Sequence, residues 1–82
     1  MTLITYNYRY TVLFRPAGPG YVVTCPALPG LVTVGETFEE ARAMAADAIR
    51  SYLSSLRKGG LTFPAEDYQL LAEQIEVAID AV

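Results

Sequence analysis

The chain contains no histidine and a single cysteine, Cys25. Without imidazole there is no histidine general base, no catalytic triad built on one and no histidine metal site. One thiol excludes an intrachain disulfide and a thiolate zinc cage, and it fits a reducing compartment. Cys25 stands beside Pro26 with no base near it, so it reads as a small buried apolar residue rather than a nucleophile. The glycines are too sparse for a phosphate-cradling loop, and no G-x-x-x-x-G-K-S/T run occurs. No apolar run approaches the ~18 residues that would span a bilayer. Residues 1–5 lack the basic start and apolar core of a signal peptide, so a cytoplasmic protein is expected. Acids are absent from residues 1–35, which carry only Arg9 and Arg15 and sum to +2. The three strands expected there bring no carboxylates together, so neither a Mg²⁺ site nor any other cofactor is expected.

What is present is apolar and unevenly charged. Eighty-two residues make a single domain, 1–82, near the low end of what folds without staples. Yet 52% of the residues are hydrophobic, above the ~45–50% typical of soluble domains. That excess points to surface kept apolar for another chain, a homodimer or higher homo-oligomer. Residues 36–82 hold all nine acids against Arg42, Arg50, Arg57 and Lys58, a balance of −5 within a total of −3. An acidic second half disfavours nucleic-acid phosphates and suits a basic protein partner. Arg9 and Arg15 alternate with aromatics, but two arginines in an acidic chain read as a solvated strand face rather than a nucleic-acid platform.

Residues 6–14, YNYRYTVLF, have period two in β-favouring residues and predict a first strand. Residues 15–20 predict a turn, Tyr21 to Cys25 a second strand paired back as a hairpin, and Leu31 to Gly35 a third. Thr37 to Lys58 predicts one long helix with an apolar stripe of Phe38, Ala41, Ala45, Ala48, Tyr52 and Leu56, widened by Ile49 and Leu53. Glu39 and Glu40 in its first turn, Arg57 and Lys58 in its last, and Gly59-Gly60 after it all agree with a helix of those bounds. Residues 64–71 leave a helical turn open, and Gln74 to Ile79 alternate as a final strand. The result is an α+β domain of order β-β-β-α-β. An antiparallel three-stranded meander is followed by a crossover helix and a fourth strand placed beside the first. One helix covers one sheet face, and Tyr6, Tyr8, Tyr10 and Tyr21 are available to line the other against a second chain.

The junction from Gly20 to Glu40 carries the most specific residues. Cys25-Pro26-Ala27-Leu28-Pro29-Gly30 is a corner that continues neither flanking strand, and Thr37-Phe38-Glu39-Glu40 has the spacing of a capping box. Candidate partner-binding residues are Tyr21, then Pro26, Leu28, Pro29, Gly30 and Leu31 at the corner, with Glu36, Glu39 and Glu40 beside them. Turn geometry by itself accounts for the corner, and helix capping by itself for the acids. No catalytic residue and no metal ligand is assigned.

This stretch resembles the N-terminal domain of the HicB family of antitoxins. The family's run is roughly G-G-Y-x-x-x-x-P-x-L-P-G-C-x-T-x-G-x-T-x-x-E-A. Gly20, Tyr21, Pro26, Leu28, Pro29, Gly30, Thr33, Gly35, Thr37, Glu40 and Ala41 match it without a gap. Leu31 stands where many members have Cys, and the Arg15-Pro16-Ala17-Gly18-Pro19 turn replaces a commonly acidic one. The resemblance implies a degraded, partial RNase H-like fold and a type II antitoxin that binds and blocks a small basic HicA-like mRNA interferase. Full members usually add a C-terminal DNA-binding segment. Here the chain reaches Val82 directly after the final strand, so no direct DNA binding is expected. RNase H-like nucleases carry an acid on the first strand, and residues 6–14 have none, so nuclease activity is not expected. The alternative is an orphan homo-oligomeric domain with a regulatory role and no cognate toxin.

Overall fold

The computed structural model describes residues 4–66 and 71–81. Three strands, β1 (Leu13–Ala17), β2 (Gly20–Thr24) and β3 (Val32–Gly35), precede one helix, α1 (Phe38–Lys58). The sheet is antiparallel throughout, in the order β1-β2-β3. This is the expected α+β meander followed by a long helix.

The first strand lies later in the chain than its period-two pattern predicts. The hairpin turn is only Gly18-Pro19, so Ala17 pairs with Gly20 and the ladder ends at Leu13 opposite Thr24. β2 cannot continue past Thr24 because the proline corner begins, and residues 6–12 therefore have no strand to pair with. Pro16 is tolerated inside β1 because that strand is an edge. The expected fourth strand over 74–79 is not formed within the chain. Residues 71–81 pair with no strand, and every one of them is exposed. Residues 61–66 are irregular, and half of the helical turn left open at 64–71 falls on 67–70, outside the described residues.

The register fixes the two sheet faces. Phe14, Val23 and Thr33 align on one face, as do Pro16, Tyr21 and Gly35, and this face receives α1. The inner cluster holds Val23, Ala41 and Ala45, flanked by Val12, Phe14 and Tyr21. A second cluster holds Cys25, Leu28, Leu31 and Leu53, with Tyr10, Tyr52, Leu56 and Phe63 against it. Of the four tyrosines expected on the open face, Tyr10 and Tyr21 pack on the helix side instead, while Tyr6 and Tyr8 stay 73% and 54% exposed on the segment before β1. Tyr21 meets Phe38 edge-to-face at 5.8 Å, Tyr10 joins the second cluster, and Tyr8 packs on Phe63 at 5.2 Å. The open face is mostly aliphatic, built from Leu13, Val22, Val32 and Val34 with Arg15 and Thr24 among them.

Helix α1 begins where its cap demands. The Thr37 hydroxyl accepts from the Glu40 amide at 3.0 Å, and the Thr37 carbonyl accepts from Ala41 at 2.8 Å. The reciprocal half of the capping box, Glu40 carboxylate to Thr37 amide, is not made among the described residues. At the other end Gly60 N–H donates to Arg57 and Leu61 N–H to Leu56, the paired bonds that close a helix C-terminus.

Candidate functional site

The corner is built by two consecutive tight turns. Leu28 N–H donates to the Cys25 carbonyl at 3.0 Å, and Leu31 N–H to the Leu28 carbonyl at 3.2 Å. The Tyr52 hydroxyl donates to the Pro29 carbonyl at 2.9 Å, tying the corner to α1. Gly30 has φ +85°, a backbone region that disfavours any side chain. Leu28 and Leu31 point inward and are 0% and 8% exposed, so of the predicted corner contacts Pro26, Pro29 and Gly30 are the exposed ones. Cys25 is 3% exposed, and burial pushes its thiol above the ordinary value of 9.0, against a smaller lowering by the Leu28 and Ala27 amides.

The acids lie elsewhere. Leu31 stands at one end of β3 and Glu36 at the other, separated by roughly 17 Å of extended chain. The nine sequence-predicted residues therefore form two places rather than one patch. At the acidic end an open groove of about 350 Å³ brings together Tyr21, Glu36 and Glu40 with Pro19, Gly20, Val22 and Val34. Glu39 is exposed one residue before Glu40 on the first turn of α1. None of these three carboxylates is ion-paired among the described residues, where the sole ion pair is Asp47–Arg50 at 2.8 Å. The half-made capping box leaves the Glu40 carboxylate free as well. This end presents uncompensated negative charge around a half-buried aromatic ring, a surface suited to a basic side chain.

Val22 and Val34 were not among the sequence-predicted contacts, yet they line this groove and continue onto the open aliphatic face. The signal was present in the helix. Its slim side at Ala41 needs equally small partners, so Thr33 and Gly35 turn inward and Val32 and Val34 fall outside. Among the described residues no His, Cys, Asp or Glu group is placed to hold a metal ion, and no helix is long and apolar enough to cross a membrane.

Residues 10–79 match the family described as the HicB-like antitoxin of bacterial toxin–antitoxin systems. A UPF0150 protein of Thermoplasma acidophilum is 41% identical over 70 residues, covering 84% of this chain and 96% of that protein. A second UPF0150 protein, from Synechocystis, is 41% identical over 61 residues, covering 73% of this chain and 77% of its own length. The match takes in all three strands, the proline corner, the capped helix and most of the segment beyond it, and on that extent the chain belongs to the HicB-like antitoxin family.

Proposed function

We propose that this chain is a non-catalytic antitoxin domain, acting in the cytoplasm, that neutralises a small basic ribonuclease of the HicA type by direct binding. The observation that carries the reading is the acidic end: Glu36 and Glu40 at the Tyr21 groove, with Glu39 beside them, stand exposed and without ion-pair partners among the described residues, in a chain of antitoxin family. Such a surface attracts a basic partner at long range and offers hydrogen-bond acceptors at contact. Pro26, Pro29 and Gly30 form a separate, rigid contact at the far end of β3, with Leu28 and Leu31 holding the corner in shape from inside. The test is co-expression with any small basic protein encoded beside it. Growth rescue and co-purification are expected, with affinity lowered about 10–100-fold by Glu36→Lys with Glu40→Lys while the circular dichroism spectrum is kept. Persisting toxicity with no co-purification defeats the proposal. A second reading, a homo-oligomeric regulator without a toxin, draws on the open aliphatic face of Leu13, Val22, Val32 and Val34, and an absent toxin neighbour selects it.

A further inference from the structure

Two segments of this chain are shaped as strands by sequence and left without a partner by the fold. Residues 4–12 continue β1 beyond the end of β2, and their backbone makes one hydrogen bond among the described residues, Thr11 N–H to Glu66 at 2.6 Å. Residues 71–81 make no backbone hydrogen bond there, although Ile75, Val77 and Ile79 alternate and are 76%, 71% and 87% exposed. The molecule measures 72 × 29 × 21 Å with a radius of gyration of 17.1 Å, against about 12 Å for a compact domain of this length. The segment therefore projects away from its own core instead of lying on it.

We infer that residues 71–81 of one copy add as a fourth strand along residues 4–12 of a second copy, and reciprocally, giving a strand-exchanged homodimer. The receiving side is already built. Between residues 5–10 and α1 lies an open groove of about 710 Å³, whose helix wall includes Ala46, Ile49 and Leu53. It is continued toward β1 by a second groove beside Val12, Phe14 and Ala45. An edge strand laid there places Ile75, Val77 and Ile79 against that wall, the face that Tyr10, Val12 and Phe14 already share. Period two then turns Glu76 and Asp80 away from that wall, and the groove's lining also includes Arg9 and Arg50, cations that suit an acidic incoming strand. The apolar phase fits the helix wall, and the acids of the segment suit the arginines that line the groove. Tyr10 and Thr11, through the hydroxyl bond to the Pro64 carbonyl and both bonds to Glu66, set the departure of the outgoing segment beside the incoming one. The two segments are also nearly equal in length. This pairing is independent of toxin binding, since it uses the edge of the sheet far from Glu36 and Glu40.

Sedimentation equilibrium of the full chain decides it. The wild type is expected at twice the chain mass, and Ile75→Asp with Val77→Asp, or Ala46→Glu alone, at the single mass with an unchanged circular dichroism spectrum. Mixing the two variants is expected to restore a dimer, because the donor-dead chain keeps its groove and the groove-blocked chain keeps its strand. Should Ala46→Glu not fold, Arg9→Glu replaces it. A monomeric wild type, in which the segment returns to its own groove, overturns the inference. So does a dimer that survives Ile75→Asp with Val77→Asp, which places the contact on the aliphatic sheet face, or a mixture of monomers that stays monomeric.

Discussion

Cys25 and Tyr10 show how single residues report the state of the core. The thiol is raised chiefly by burial, and the Tyr10 phenol is raised by burial and then by Cys25, Tyr8 and Glu66 around it. Both groups therefore hold their protons in the folded chain to higher pH than in the unfolded one. The unfolded chain loses protons first, so this contribution is complete below the unfolded thiol pKa, about 9, and is lost as pH rises through the folded values. The urea midpoint is expected to hold from neutral pH to about 8.5 and then fall, and Cys25→Ala is expected to flatten part of that fall. A midpoint that climbs above pH 9 would contradict the sign. The Asp47–Arg50 pair, with both side chains almost three-quarters exposed, adds little by comparison.

Elements meet in this protein through smallness as much as through bulk. A Cβ added at Gly35 would fall 2.6 Å from the Ala41 Cα, so β3 and α1 approach as closely as their backbones allow. That contact explains why Gly35 and Ala41 occur together in the motif, and why the first half of α1 is slim while its second half carries Tyr52, Leu53 and Leu56. Gly35→Ala is expected to cost about 2–3 kcal/mol, since the obstacle is backbone that no rotamer change can move. Thermal unfolding would show it as a fall of about 10–20 °C, and a loss below about 3 °C would mean that the helix slides freely on the strand. The thicker half of α1 anchors the corner from below through Leu53 and through the Tyr52 hydroxyl on Pro29.

Across the whole molecule the charge is divided, with the acid-free half forming the sheet and the acidic half beginning at Glu36. A basic partner steered to the acidic end should associate quickly at low salt. Its affinity is expected to fall about tenfold or more between about 50 and 500 mM sodium chloride, mainly through the association rate. A salt-independent affinity would instead assign the contact to Leu13, Val22, Val32 and Val34. The acidic end and the edge along residues 4–12 are distinct surfaces, so the proposed toxin contact and the proposed strand exchange do not compete for the same residues.

The sequence by itself determined the turns, the corner, the cap and the helix, because each depends on residues within four positions of one another. Thr37, Gly59-Gly60 and the stripe from Ala41 to Leu56 were legible for that reason. It also supplied the acids of the candidate surface, though not that the corner and the acids lie at opposite ends of β3, nor that Leu28 and Leu31 face inward. Only the tertiary structure decided which part of a long period-two run becomes a strand. Pairing needs a neighbour, and the neighbour of residues 6–12 was removed by Pro26, more than ten positions downstream. The same physics governs residues 71–81. Their alternation marks a strand, but a strand is completed by whatever edge it reaches, and within this chain it reaches none.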